Sequence, residues 1–157
     1  MRASHVRVRK MRDEDLPGVT RVLGLWNMVP RPPSVDIPDP ERTAVDVGNG
    51  FVAEADGRVV GTCSYFVLGN DWAETASLAV DPDPAFAGVG ALLQQARLDE
   101  MRARGIRHVR TEADRPATIR WYVRRFGYRI VGTNPKKHTF SQPDVDSWAV
   151  LELHFVD

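Results

Sequence analysis

The sequence predicts an α/β protein of the α+β kind, built on a mostly antiparallel sheet with one strand-helix-strand unit in its middle. Three observations carry this reading. Short apolar stretches run from Phe51 to Ala55, Val59 to Leu68 and Trp72 to Val80, and the breaks between them are Asp56-Gly57 and Gly69-Asn70-Asp71, the residue types that tight hairpin turns demand. Downstream, Val89, Leu92, Leu93 and Ala96 recur at helical spacing before Arg104-Gly105, and a second helical stretch from about Pro116 to Phe126 stops at Gly127, the residue favoured just past a helix end. The chain has 157 residues, 43% apolar and 27% charged, which suits one packed core; two independent halves would each be marginal. Residues 1–157 are therefore expected to form a single domain.

Taken in order, Val6, Val8 and Lys10-Met11 alternate as a first strand, and Arg12-Asp13-Glu14-Asp15 places carboxylates at the start of a helix through Val19, Val22, Leu23 and Trp26. Pro30, Pro32, Pro33, Pro38 and Pro40 then disfavour regular structure, which predicts a long stiff loop before a short helix at Pro40 to Val47. The three hairpin-linked strands follow. The helix led by Gly88 and Gly90 connects them to a strand at His108 to Glu112, and after the second helix two strands, near Tyr128 to Gly132 and Ser147 to Phe155, flank a polar loop with Pro135, Lys136, Lys137 and Pro143.

Composition excludes several classes of function. Lys plus Arg number 21 and Asp plus Glu number 21, so no global field recruits nucleic acid or an anionic membrane. No stretch reaches the 18 apolar residues of a membrane span, and Met1 to Asp15 lacks the unbroken apolar run of a signal peptide, so a cytoplasmic location is expected. The single cysteine, Cys63, lies in a strand-like apolar segment and reads as a core residue. His5, His108, His138 and His154 have no metal-ligand spacing, and no metal is expected. Charge is uneven along the chain: arginines crowd Arg97 to Arg129, whereas Asp36, Asp39, Glu41, Asp46, Glu54 and Asp56 dominate the stretch beside the long loop.

The most informative segment runs from Leu78-Ala79-Val80 through Asp81-Pro82-Asp83-Pro84-Ala85-Phe86-Ala87 to Gly88-Val89-Gly90-Ala91. A strand, a proline-bearing turn, two glycines and a helix start make a candidate anion site. Glycines admit phosphate oxygens to the backbone, and free amides at the positive end of the helix dipole stabilise them. The alternative is that Gly88 and Gly90 only let the helix pack closely on the sheet. Val80, Pro82, Gly88 and Gly90 fall in register with the acyl-CoA pyrophosphate loop of the GNAT acetyltransferase superfamily, which this segment resembles. Ala117 and Tyr122 in Arg115-Pro116-Ala117-Thr118-Ile119-Arg120-Trp121-Tyr122 similarly match a downstream helix of that superfamily. The departures are Ala85 where Arg or Gln is usual, Phe86 in place of the first glycine, and one extra residue between Tyr122 and Gly127.

The resemblance implies a mixed, mostly antiparallel central sheet of six or seven strands, with helices on both faces and a splayed pair of strands holding the cofactor. It implies an N-acetyltransferase that moves an acetyl group from acetyl-CoA to a primary amine of a small molecule or peptide by direct attack. It further implies cofactor binding by Leu78, Ala79, Val80, Ala85, Phe86, Ala87, Gly88, Val89, Gly90 and Ala91, with Tyr122 as the acid that protonates the leaving thiolate. Glu74 stands where some members carry a general base; the other reading of it is a solvated carboxylate at a strand start. Even spacing places Glu74, Ala76, Leu78 and Val80 on one face of an unbulged strand. Trp121 and Phe126 are core or cofactor-lining residues. The acidic stretch from Asp36 to Asp56, bordering the entrance, favours a cationic acceptor. A non-catalytic acyl-CoA-binding or regulatory module is the alternative function, and a homodimer stays open.

Overall fold

The computed structural model describes residues 5–30, 45–136 and 141–156. Strand β1 (Arg7–Lys10) turns through a 3₁₀ segment at Asp13–Asp15 into helix α1 (Leu16–Gly24). The expected carboxylates do open this helix: Asp15 Oδ2 accepts the Arg12 amide at 2.8 Å, and its two oxygens also take a bidentate pair from Arg9 at 2.8 and 2.9 Å. Most of the proline-rich loop and of the short helix expected at Pro40 to Val47 lies outside the described residues, as do Lys137 and His138. The chain re-enters as a 3₁₀ turn at Val47–Asn49.

Strands β2 (Gly50–Ala55), β3 (Arg58–Gly69) and β4 (Trp72–Val80) form the expected meander. The turns are set by their residue types: Asp56 and Gly57 at φ 52° and 74°, and Asn70 and Asp71 at 53° and 68°, positive at both central positions as a two-residue hairpin on a twisted sheet requires. Helix α2 (Val89–Ala103), strand β5 (His108–Ala113), helix α3 (Pro116–Phe126) and strands β6 (Arg129–Pro135) and β7 (Ser147–His154) complete the chain.

Seven strands join in the order β1-β2-β3-β4-β5-β7-β6, antiparallel except for the β4-β5 pair. Side-chain alternation divides the core between the two faces. Val52, Val59 and Ala79 pack with Val19, Val22 and Leu23 of α1. On the opposite face, Ala53, Val60 and Cys63 meet Val89 and Leu93 of α2, and Tyr65, Ala73 and Val109 meet Leu98, Met101 and Tyr122 of α2 and α3. Cys63 is fully buried and burial raises its thiol pKa to about 11, the inert core residue that its surroundings suggested. Helix α2 comes closest to the sheet at Gly61, where a Cβ would stand 2.9 Å from Leu93 Cδ1.

Candidate active site

The parallel β4-β5 pair is short. Trp72, Ala73 and Glu74 face His108, Val109 and Arg110, and beyond this point the two strands separate. On its other side β4 stays paired with β3, but two steps of β3 from Thr62 to Ser64 match three of β4 from Ala79 to Ala76. That bulge contains Ser77, whose φ of 58° lies in the left-handed region, a local strain that surrounding structure must hold in place. It also inverts the facing of the strand: Ala73 packs against α2 and α3 while Ala79, six residues on, packs against α1. Glu74 therefore projects from the α1 face and Leu78 from the opposite one, and the single face expected for Glu74, Ala76, Leu78 and Val80 is corrected by the bulge.

The gap between the diverging strands opens a cleft of about 260 Å³, lined on β4 by Thr75 to Val80 and on α3 by Thr118, Trp121 and Tyr122. The free edge of β4 faces it. Because the Asp81 amide bonds to Val60 O at 2.8 Å, Val80 and Gly61 are a non-hydrogen-bonded pair of the antiparallel ladder. The Val80 amide and carbonyl consequently point away from β3 into the gap. The carbonyl accepts Trp26 Nε1 at 2.8 Å. Thr75 Oγ1 and Ser77 Oγ are buried at the same wall with no hydrogen-bond partner among the described residues, an arrangement that buried hydroxyls rarely tolerate.

Past the end of β4, Asp83 caps a 3₁₀ turn at Pro84–Phe86 by accepting the Ala85 amide at 2.9 Å. Gly88 then takes φ 88° as the N-cap of α2, so the first-turn amides of Val89, Gly90 and Ala91 have no intrahelical acceptor. A Cβ at Gly90 would meet only Val80 Cγ2, at an ordinary 3.8 Å. A methyl group would crowd α2 at Gly61 but would not at Gly90, which leaves access to the backbone as the physical use of the second glycine. The Phe86 ring is buried with Phe51, Val60 and Leu93, so only its backbone is presented to the loop surface. The orphan hydroxyls, the free β4 edge and the glycine-flanked helix start suit an amide-bearing arm ending in a pyrophosphate.

Tyr122 reaches the cleft from α3 and is buried, 4% exposed, with its hydroxyl oxygen accepting from Arg97 Nη2 at 3.2 Å. Arg97 itself lines the cleft and is fully buried. Burial opposes its charge, yet the neighbouring Tyr122 and Cys63 favour it, and its pKa lies above the ordinary arginine value. Glu74 does not line the cleft; its carboxylate pairs with Arg110 Nε at 3.5 Å. Two carboxylates that the sequence reading passed over, Glu112 on β5 and Asp114 just past its end, do line it. Asp114 is committed: Lys136 Nζ, Ser141 Oγ and the Gln142 amide all donate to it within 3.0 Å. Glu112 accepts from the neutral amide of Asn134 at 2.9 Å.

The cleft also takes in Trp26, Trp148 and Arg115, with the Arg115 guanidinium 4.7 Å above the Trp26 ring. Ser141, also in its lining, donates its amide to Asn27 O at 2.8 Å, tying the segment before β7 to the turn after α1. None of the described residues between 45 and 56 lines the cleft. Glu54 is held on β2 by Arg7 and Arg9, so its charge is not part of an acidic entrance. His108 and His154, scattered in sequence, are brought together by the β5-β7 register with their Nδ1 atoms 2.7 Å apart. No group of three metal-ligating side chains occurs among the described residues. No helix among them is long and apolar enough to cross a membrane.

Arg97 could have been suspected from sequence, because it lies four residues from Leu93 and four from Met101 on the apolar stripe of α2. Thr75, Ser77 and Glu112 had no such signal, since their roles depend on where β4 and β5 part.

Comparison with known proteins agrees with this geometry. Residues 18–128 match the model of the Acetyltransferase (GNAT) family. No curated protein sequence matches significantly. Among solved structures, Ard1 from Thermoplasma volcanium superposes with a TM-score of 0.74 at 19% identity, over 98% of this chain and 99% of that one. The ribosomal-protein-S18-alanine N-acetyltransferase of Escherichia coli gives 0.71 at 20% identity, over 97% and 95%. N-acetylglutamate synthase from Neisseria gonorrhoeae, complexed with coenzyme A and L-arginine, gives 0.71 at 18% identity; the match takes in 98% of this chain but only 34% of that protein. At these identities the structures speak for the fold, with its mixed, mostly antiparallel sheet, and the sequence match carries the family: the chain belongs to the GNAT acetyltransferases.

Proposed function

We propose that the protein is an N-acetyltransferase that uses acetyl-CoA and a primary amine, with the cleft between β4 and β5 as its active site. The observation that carries this reading is the parting of the two strands after Glu74. It leaves backbone groups, two orphan hydroxyls and the Tyr122 phenol facing one cleft. Acetyl-CoA would supply an activated acetyl group as a thioester. Leu78, Ala79 and Val80 would hold its pantetheine arm along the free strand edge, and the backbone from Ala85, Phe86 and Ala87 to Gly88, Val89, Gly90 and Ala91 would wrap its pyrophosphate.

The chain's own groups then divide the proton transfers. An ammonium acceptor must lose a proton before its nitrogen can attack, and a carboxylate reached directly or through one water can take it. Glu112 fits this role better than Glu74, because it lines the cleft and its hydrogen bond comes from a neutral amide, whereas Glu74 faces Arg110 outside it. The Tyr122 phenol lies in the cleft wall, where it can hand its proton to the departing sulfur.

Incubating the protein with acetyl-CoA and a panel of diamines, amino acids and short peptides, with free thiol as the readout, tests the proposal. Amine-dependent CoA release is the expected result, and its absence across the panel, with CoA bound, would contradict it. Trp26, Trp148 and Met28 in the cleft lining would favour an amine borne on an apolar or aromatic carrier.

A further inference from the structure

Among the described residues Arg97 is a cation with no anionic partner. Its guanidinium is fully exhausted by neutral partners: Nε and Nη2 donate to Gln94 Oε1, Nη1 to the carbonyls of Ser64 and Ala76 at 3.0 and 3.2 Å, and Nη2 also to the Tyr122 hydroxyl oxygen. Gln94 in turn donates to the Tyr128 hydroxyl at 2.9 Å. Burying a guanidinium in a helix stripe without a carboxylate is strongly unfavourable, and a Leu or Met there would continue the apolar pattern of α2. The position of the charge explains its use. It stands beside the phenol that lines the cleft, and it grips Ala76 O at the start of the β4 bulge.

We propose that Arg97 is a positioning residue for the Tyr122 acid, aiming the phenolic proton into the cleft and stabilising the oxygen that the proton leaves behind. This rests on the reading of Tyr122 given above. One lone pair of the Tyr122 oxygen is taken by Nη2, and among the described residues the hydroxyl proton has no acceptor. It is therefore available to a group entering the cleft. Tyr122 gives that proton to the sulfur receiving the electron pair of the broken carbon-sulfur bond, and negative charge passes to the phenolate oxygen 3.2 Å from the guanidinium. A charge pair absent before the step exists after it, so the interaction strengthens along the reaction, which is what lowers a barrier. The nitrogen that has formed the new carbon-nitrogen bond sheds its protons to the base and to solvent, and one of these, relayed by water, restores the phenol.

The deciding variant is Gln94→Glu. Its carboxylate can keep both bonds from Arg97 and can accept from the Tyr128 hydroxyl, which turns from acceptor to donor, so the local packing and hydrogen-bond count are retained. What changes is that Arg97 gains a permanent anion and its charge is withdrawn from Tyr122. Arg97→Lys serves as the second variant, since it keeps a charge but loses the fork that reaches the phenol. For both, melting temperature, calorimetric CoA affinity and kcat are measured, alone and on a Tyr122→Phe background. Expected are a roughly tenfold or greater fall in kcat, a melting temperature for Gln94→Glu no lower than wild type, CoA affinity unchanged within about threefold, and no further loss of kcat on the Tyr122→Phe background. Equal fold losses of kcat with and without Tyr122 would overturn the proposal and mark Arg97 as a packing residue. So would unchanged kcat in Gln94→Glu. If Tyr122→Phe alone leaves kcat untouched, the acid reading itself falls, a result distinct from either of these.

Discussion

Three tyrosines place the same hydroxyl in three different settings, and only one of them suits proton donation. Tyr65 donates to Glu100 Oε2 at 2.7 Å; burial and that carboxylate push its pKa up to about 12. Its proton is committed. Tyr128 lies behind Gln94, away from the cleft, and burial raises its pKa further. Tyr122 alone lines the cleft. The same comparison ranks the carboxylates, since Asp114 is neutralised by Lys136 and Glu74 faces Arg110, while Glu112 meets a neutral amide. Glu112→Gln should therefore lower kcat/KM by about a hundredfold, the lower end of general-base effects, with the largest loss at low pH, where the acceptor arrives as ammonium. Glu74→Gln should stay within a few-fold of wild type. A pH-rate profile of both variants checks this, and the reverse ranking would return the base role to Glu74.

At the scale of elements, the path from β4 through the 3₁₀ turn to α2 combines two requirements that mutation can separate. Phe86 fills the core between β2, β3 and α2, so Phe86→Ala should destabilise the fold by about 3 to 5 kcal/mol through the cavity it leaves, seen as a drop in denaturant midpoint. Gly90 fills nothing. Gly90→Ala should leave the midpoint equal or higher, since alanine is the better helix former by about 1 kcal/mol, yet weaken CoA binding by placing a methyl group at the proposed pyrophosphate contact. Calorimetry and a melt on the same variant read both effects, and undiminished CoA affinity would move the pyrophosphate elsewhere. These elements were largely legible in advance: the ends of β4 at Trp72 and Val80 and of α3 at Pro116 and Phe126 follow from local turn and cap residues. The bulge at Ser77 was not legible, because it arises from the register of β3 against β4. Nor was Glu112 as a cleft residue, because strand alternation assigns it a face but does not say where two strands part.

At the scale of the whole molecule, ion pairs stitch the edge of the sheet to its surroundings. Arg9 of β1 joins Asp15 ahead of α1 and Glu54 of β2, and Lys10 reaches Glu100 on α2 at 2.9 Å. The hydrogen bonds from Arg9 hold Asp15 below the usual carboxylate range against an opposing effect of burial; burial also opposes the charge of Glu100, but Lys10 and Tyr65 keep its pKa low. Carboxylates with depressed folded-state pKa values bind fewer protons than their unfolded counterparts. The stability they contribute is present above the unfolded value, near pH 4, and is lost as pH falls through the folded values below it. The melting temperature should therefore decline below about pH 4, and Asp15→Asn should shrink that decline while lowering stability at neutral pH. A melt series from neutral to acidic pH provides the check.

All of these elements converge on the proposed arrangement, in which the parting of β4 and β5 would expose a phenol to the sulfur of a bound thioester. Comparing Tyr122→Phe with wild type in a CoA-release assay, alongside calorimetric CoA affinity, tests that arrangement most directly. The phenyl ring preserves the packing against Trp121 and Tyr128 and removes the hydroxyl, both the proton donor and the acceptor of the Arg97 Nη2 bond. The expected result is a fall in kcat of about a hundredfold or more with CoA affinity changed little, because the lost hydroxyl matters chiefly as charge develops on sulfur. Unchanged kcat, with the chemical step shown to limit the rate, would contradict the account.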